Sequence, residues 1–561
     1  KNIKINSNKL KNYLVYNKKF SFWWLNEIYH KRSYKFKTFT YLCHLDFISN
    51  TITNWDDISE VIILSKDQPL ITVLNNFFRE YSVKTFTHQK YYLYQIKESF
   101  FFQFFYNLLA FFKWFTKYLF ITLMCKLYLS KNFKINKITF IQFYTAIWPK
   151  SEEYRDDKFG KNNEIISSFN NDEAITACSI FPDEFHPSVD LSTLQKILKN
   201  RRKFKSKSNN IFIIELYIPI KKIFYLFFYS IYLIYKLSTL SLYKSFNNYW
   251  IYKGTDISPF IKMELERSIF RIPRLIFYTE RLKYFARVFK PKAIIYNMYE
   301  APIGKATLFA LKEDNTSYIT IATQDGPHSR LKLETANDPL EFKKLDIPND
   351  YIDYMPLPDQ IILEGSYAKN ILIESGYPPN KLSVCGSARM IGLNKLKIKK
   401  IGISKNIIFV PFSVNDHYQL LNFCKELSLI NKSVNFVFKN HPRTSINDNE
   451  LKKILYEVDF DINRFIVSEK SSWELFNETS IVLGTFTSVL DEAAIKGMRV
   501  ICIYLNGKIN NSPLIDLKPR WVQFAKNPSD AARLITEKYN YPSDEELIKL
   551  EKHVYNDTAQ D

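Results

Sequence analysis

From residue 293 to the C terminus, short runs of β-branched and aromatic residues alternate with stretches of helical period, and this alternation restricts the fold more than any other feature. Residues 293–296 (AIIY), 318–323 (YITIAT), 360–363 (QIIL), 381–384 (KLSV), 406–410 (NIIFV), 434–438 (VNFVF), 481–483 (IVL) and 499–504 (RVICIY) read as strands. Helical stretches at 304–312, 366–375, 417–430, 448–457 and 489–496 fall between or after them, and 262–290 reads as one long amphipathic helix. Apolar runs of this kind, 60–64 (EVIIL) and 137–143 (KITFIQF) among them, suit strands covered on both faces, as in parallel sheets. A Pro- and Asp-rich connector at 338–358 interrupts the series. The expected fold is therefore α/β, with two Rossmann-like lobes facing a cleft and aromatic-rich helical insertions in the N-terminal lobe.

At 561 residues the chain has room for two to four domains at about 150 residues each. We divide it into an N-terminal lobe (1–345), a C-terminal lobe (355–540) and a terminal helix or tail (541–561). The net charge of +21 is uneven: residues 1–250 carry 36 basic and 19 acidic side chains, whereas 251–561 carry 42 and 38. An anionic partner therefore belongs to the N-terminal part. A nucleic acid is not the expected one, because no basic–aromatic stripe of a nucleic-acid module is present. Six cysteines lie far apart with no CxxC pair, which argues against zinc or a disulfide framework and fits a reducing compartment. No charged-then-apolar leader pattern is visible, so the expected location is cytoplasmic, peripheral on the inner face of the cytoplasmic membrane.

The membrane enters through two segments, 100–129 and 218–246, dense in Phe, Tyr, Leu and Ile. Residues 101–150 hold seven basic and no acidic side chains, and 201–250 hold nine and one. Neither segment has about 18 uncharged residues in a row, the usual minimum for a span. Helices lying in an anionic headgroup region fit the pattern best, with rings at the acyl boundary and lysines toward phosphate. Buried core helices with snorkelling lysines, or true spans, are the alternatives.

Ligands of parallel sheets sit beyond the carboxyl ends of strands, and four such loops have unusual content. The first is Thr323–Arg330 (TQDGPHSR). Asp325 before Gly326 is placed to act as a general base, His328 competes for that role, and an ordinary Asx turn is the plain alternative. In the second loop, Lys439, His441, Pro442 and Arg443 (KNHPR) suit a phosphate, the proline fixing the backbone that aims the imidazole. A solvated loop histidine is the alternative. The third, Gly484, Thr485, Phe486, Thr487 and Ser488, puts hydroxyls and free N–H groups at a helix start, where Thr487 or Ser488 serves equally as N-cap. Glu492 lies one turn further on, where a sugar hydroxyl could meet it. The fourth, Asn510–Leu514 with Asn511 and Ser512, is a polar loop that could close over a nucleotide. Glu364-Gly365 is a second acidic-Gly pair. The Asp-X-Asp of the chain, Asp459-Phe460-Asp461, falls at a helix–strand junction and reads as surface, so metal-independent chemistry with no cofactor is expected.

The stretches PDQIILEGSYAKNILIESGYP, FVFKNHPRT, LGTFTSVLDEAAIKGMRVI and NNSPL resemble motifs of GT-B-fold glycosyltransferases of bacterial surface-carbohydrate (capsule and lipopolysaccharide) biosynthesis. The opening SFWWLNEIYHKRSYK is similar to the N-terminus of a surface-carbohydrate subgroup. Related patterns occur in bacterial sialyltransferases, Kdo transferases and CDP-glycerol transferases. The resemblance implies a GT-B-like fold and Asp325 as general base. It also implies His441 at the leaving phosphate, with Thr487 and Ser488 as phosphate ligands. The implied reaction moves a sugar, a CMP-activated nonulosonate or Kdo, from its nucleotide to a glycan or lipid-linked acceptor with inversion. A CDP-glycerol-type polyol-phosphate transferase and a silent GT-B scaffold are the alternatives. The family's usual acidic pair before Gly is Gln324-Asp325 here, so Glu364 stays open as the base.

Overall fold

The computed structural model describes residues 4–5, 8–17, 19–31, 36–52, 57–87, 99–128, 138–143, 174–179, 211–297, 299–312, 318–324, 326–342, 351–387, 390, 407–413, 416–441, 446, 448–505 and 509–555. The chain divides into two compact units. One comprises Lys1–Asp157, Asn163–Thr323 and Leu333–Ile361; the other comprises Lys158–Asn162, Gln324–Lys332 and Ile362–Asp561.

The first sheet has seven strands: β1 (Ile138–Phe143), β2 (Ala174–Ser179), β3 (Ile211–Ile213), β4 (Ala293–Asn297), β5 (Ile319–Thr323), β6 (Gln360–Leu363) and β7 (Leu382–Val384). Their spatial order is β3-β2-β1-β4-β5-β6-β7, with β1 parallel to β2 and β4, β2 to β3, and β4 to β5. A second sheet contains β8 (Ile407–Pro411), β9 (Asn435–Lys439), β10 (Phe465–Val467), β11 (Ile481–Gly484), β12 (Arg499–Ile503) and β13 (Val522–Ala525), in the order β10-β9-β8-β11-β12-β13. Every neighbouring pair in it is parallel. Both sheets thus run outward in two directions from their first strand, the doubly wound order of a dinucleotide-binding fold. The expected α/β class with two Rossmann-like lobes holds.

The second sheet shows why its strands are continuously apolar. Alternate residues point to opposite faces. Ile408, Val410, Phe436, Phe438, Leu483 and Ile501 enter one core, while Phe409, Val482, Val500 and Cys502 enter another. Helix α6 (His417–Ile430) and α10 (Pro528–Thr536) cover the first face. The other is covered by α8 (Ser488–Ile495) and the last helix, α11 (Asp544–Tyr555). Residues 544–555 are therefore an integral layer of this unit, with Leu550, Val554 and Tyr555 buried. Between them in the chain lie α7 (Asp448–Glu457) and α9 (Pro513–Leu517).

In the first unit three long helices dominate: α1 (Phe100–Tyr128), α2 (Ile220–Ser238) and α3 (Ser258–Phe289). α3 is buried almost all round, and three of its buried charges have partners of the kind burial requires. Arg281 donates to Glu215 at 2.5 Å, both fully buried, and Ser179 donates to the same carboxylate at 3.0 Å. Tyr16 donates to Glu280 at 2.7 Å, and Arg271 pairs with Glu27. α4 (Pro302–Lys312) follows β4, and α5 (Ser366–Glu374) follows β6 in the second unit.

Residues 60–64, expected as a buried strand, form instead a strand Glu60–Ile63 paired only with Lys84–Thr87 among the described residues, and Ile63 alone is buried in it. This two-stranded ladder has one covered face, supplied by the helices Lys37–Thr51 and Gln68–Glu80. In the two large sheets four strands were not anticipated from sequence: β2, β3, β10 and β13. By length and composition alone, α1 and the stretch Ile220–Leu242 are apolar enough to cross a membrane.

Candidate active site at the carboxyl edge of the second sheet

Strand order in the second sheet changes direction between β8 and β11, and the loops leaving the carboxyl ends of such a pair splay apart to form a crevice. One buried carboxylate joins the two loops. Asp416 accepts from the Ser413 N–H at 3.0 Å after β8 and from Thr485 Oγ1 at 2.7 Å after β11. Ser413 Oγ donates to the Phe486 carbonyl at 2.9 Å, a second tie across the switch point. The loop after β12 is fastened to the same place, since Asn510 Nδ2 donates to the Thr485 carbonyl at 2.8 Å. Ser512 then donates to Asp491 Oδ1 at 2.8 Å and caps α9 through the Leu514 N–H. Asp416, Thr485, Asn510, Asp491 and Ser512 are all buried.

This bracing fixes the start of α8. Thr487 is its N-cap, in extended geometry, accepting from the Val489 N–H. Thr487 and Ser488 are half-buried, unlike the Thr485 that holds them. The Leu490 N–H donates to the Thr487 carbonyl at 3.0 Å, and the helix dipole at this end favours an anion. Glu492 is buried and accepts from Trp473 Nε1 at 2.7 Å, so one of its oxygens is spent on holding an indole. Gly484 is a strand residue where an added Cβ would meet Leu490 at an ordinary 3.5 Å, so its backbone does not demand glycine.

His441 stands two residues beyond β9, on the carboxyl edge next to β8, and is half-buried. Asn440 closes its loop by exchanging hydrogen bonds with the backbone of Ile446 at 3.4 Å. Lys439 donates to the Lys470 carbonyl at 2.6 Å, so its ammonium already serves a loop. Pro442 and Arg443 lie outside the described residues, as does Asp325.

Gln324–Lys332 belongs to the second unit, while Thr323 belongs to the first. Gly326 has φ +76°, the left-handed region, with open space where a Cβ would stand. His328 is buried, its Nδ1 lying 3.3 Å from the Gly326 carbonyl, so the ring folds back on its own loop. Glu364 is buried too. Its two oxygens accept from Ser387 Oγ at 2.7 Å and Gln324 Nε2 at 3.2 Å, while its N–H donates to Gln324 Oε1 at 2.9 Å. Glu364 is thus a clamp between loops. Gly365 is needed for space: a Cβ would lie 2.3 Å from the His553 carbonyl of α11. Asn511 is half-buried beside Asn510.

Sequence reasoning missed Asp416 and Ser413, while it named Asn510 only as part of a polar loop. Asp416 precedes a helix and reads as an N-cap, yet it makes no cap bond and turns to Thr485 instead. Asp459 and Asp461 are exposed, as expected, with Asp461 capping the short turn Ile462–Arg464.

No family model matches the chain, and no curated protein matches it. Among solved structures it is similar to S. aureus MnaA in complex with UDP, at 10% identity over 75% of this chain and 92% of that one, TM-score 0.39. UDP-GlcNAc 2-epimerase from Neisseria meningitidis bound to UDP-GlcNAc is similar at 12% identity over 71% and 90%, TM-score 0.38. Anabaena HepE with UDP and glucose is similar at 12% over 71% and 89%, TM-score 0.37. The fold assignment rests on the strand orders themselves.

Proposed function

We propose that this chain is a nucleotide-sugar enzyme of bacterial surface-polysaccharide assembly, a glycosyltransferase that moves a sugar to a glycan or lipid-linked acceptor. The observation that carries the reading is the braced start of α8. A buried aspartate accepts from the Thr485 hydroxyl and a buried asparagine donates to the Thr485 carbonyl, and the hydroxyls and N–H groups of Thr487 and Ser488 follow at the switch point of a doubly wound sheet. That arrangement suits the phosphate of a nucleotide.

Transfer needs the acceptor hydroxyl deprotonated and the departing phosphate stabilised. In this reading Asp325 takes the acceptor proton. The phosphate charge falls on the α8 N-terminus and on His441 rather than on a metal. One base and no covalent nucleophile lead to inversion. The resemblance of the motifs makes CMP the first nucleotide to test.

The test incubates the full chain with CMP-, UDP- and GDP-sugars or CDP-glycerol and a lipid-linked acceptor. Transfer lost in Asp325→Asn with folding and nucleotide binding retained, and lost in His441→Ala with folding retained, supports the reading. Turnover of a sugar nucleotide on its own ring with no acceptor consumed replaces it with an epimerase. Nucleotide binding without turnover replaces it with the scaffold, and use of CDP-glycerol replaces it with the polyol-phosphate transferase.

A further inference from the structure

Helices α1 and α2 lie side by side although about ninety residues of chain separate them. The Phe227 ring lies 4.5 Å from Phe115 and 5.5 Å from Phe112, and Tyr235 lies 5.9 Å from Phe100. Behind the pair, Phe277 of α3 packs 5.8 Å from Phe115 and 5.4 Å from Trp114. Each helix therefore has an inner apolar face that is covered. Each also has an outer apolar face that is not. Phe101, Phe105, Leu109 and Phe112 follow one stripe of α1, and Phe224 and Phe228 one stripe of α2; all six are exposed, Phe101 at 70% and Phe228 at 67%. Soluble surfaces do not ordinarily gather so many large apolar side chains in one place.

The charge on this two-helix layer has one sign. α1 carries Lys113, Lys117 and Lys126, α2 carries Lys221, Lys222 and Lys236, and neither contains an acidic residue; Lys126 turns inward to the Leu216 and Ile218 carbonyls and Lys222 to Glu280. Lys113 and Lys221 are exposed. Three occupants of the face differ in how they meet that charge. A second copy of the chain would bring the same lysines against themselves with no carboxylate to pair. A bilayer core crossed by the pair would draw in α3, whose buried Glu280 pairs with Lys222 of α2 at 3.2 Å and whose buried Arg281 lies 5.3 Å from the Tyr118 ring of α1. An anionic leaflet meets both features at once, with rings at the acyl boundary and ammonium groups among phosphates. We propose that the outer face of α1 and α2 docks the protein flat on an anionic membrane surface, inserting its rings without spanning.

The experiment is flotation of the full chain with vesicles of phosphatidylcholine alone or with one third phosphatidylglycerol. The expected result is binding to the anionic vesicles that weakens as salt rises. Phe105→Glu with Phe228→Glu lowers binding at least about tenfold, and Lys113→Glu with Lys221→Glu lowers it by a similar factor and flattens the salt dependence. Both pairs are exposed, so thermal unfolding and nucleotide binding stay at the parental level and report separately on the second unit. Four outcomes overturn the proposal: no flotation, equal flotation with neutral vesicles, resistance to alkaline extraction from membranes, or a dimer in solution that Phe105→Glu with Phe228→Glu dissociates.

Discussion

Thr485 Oγ1 donates to Asp416 Oδ2 at 2.7 Å, and this bond joins the loops that leave the two strands flanking the switch point of the second sheet. Both side chains are buried, so the bond has no water to replace it. Asp416→Asn puts an NH2 group where one of two donors now points. We expect a loss of about 1–3 kcal/mol, read as a lower thermal midpoint, and weaker nucleotide binding. Asp416→Asn with an unchanged midpoint contradicts the bracing role.

Two glycines separate space from habit. Gly365→Ala forces a Cβ to 2.3 Å from the His553 carbonyl, whereas Gly484→Ala meets only ordinary contacts. The first is expected to destabilise the docking of α11 by more than about 2 kcal/mol and the second by less than about 1. Protease cleavage near residue 544, compared between the two variants, checks the order.

The Glu215–Arg281 pair is fully buried on both sides. Breaking it from one side leaves a charge alone in the core, at a cost of about 3–5 kcal/mol. Arg281→Met alone should therefore be worse than Arg281→Met combined with Glu215→Gln. A double-mutant cycle by chemical denaturation measures the difference.

Lys305 sets a pH dependence. Burial lowers its pKa to about 7, against the opposing pull of Glu300, Glu341 and Glu334 and with Lys31 adding to the fall. The folded pKa is below the unfolded one, so the unfolded chain binds more protons between about 7 and the ordinary lysine value. Stability from this group rises with pH across that window and is at its lowest below 7. Relative to the parent, Lys305→Met should gain most at pH 6 and least at pH 10, as thermal midpoints over that range will show.

Much of the architecture was legible because parallel strands buried on both faces leave an apolar run that needs no partner to recognise. Ile407–Pro411 and Arg499–Ile503 are of this kind. The strands that escaped are short or less apolar: Phe465–Val467 is an edge strand with Ile466 exposed, and Val522–Ala525 carries Gln523. The His441 loop and the hydroxyl-rich start of α8 could be found, since strand ends point to them. Asp416 could not, because a carboxylate before a helix looks like a cap whichever way it turns. Glu364 was read as a rival base, while its hydrogen bonds to Gln324 and Ser387 depend on residues 40 and 23 positions away.

The central claim is that a nucleotide phosphate rests on the start of α8, and Ser488→Asp tests it most directly. A carboxylate in the first helical turn favours the helix dipole but repels a phosphate. Titration calorimetry of the full chain with CMP, CDP, UDP and GDP should find one tight nucleotide, bound at least about tenfold more weakly by Ser488→Asp, whose thermal midpoint is equal or higher. Equal affinity in parent and variant would contradict the account.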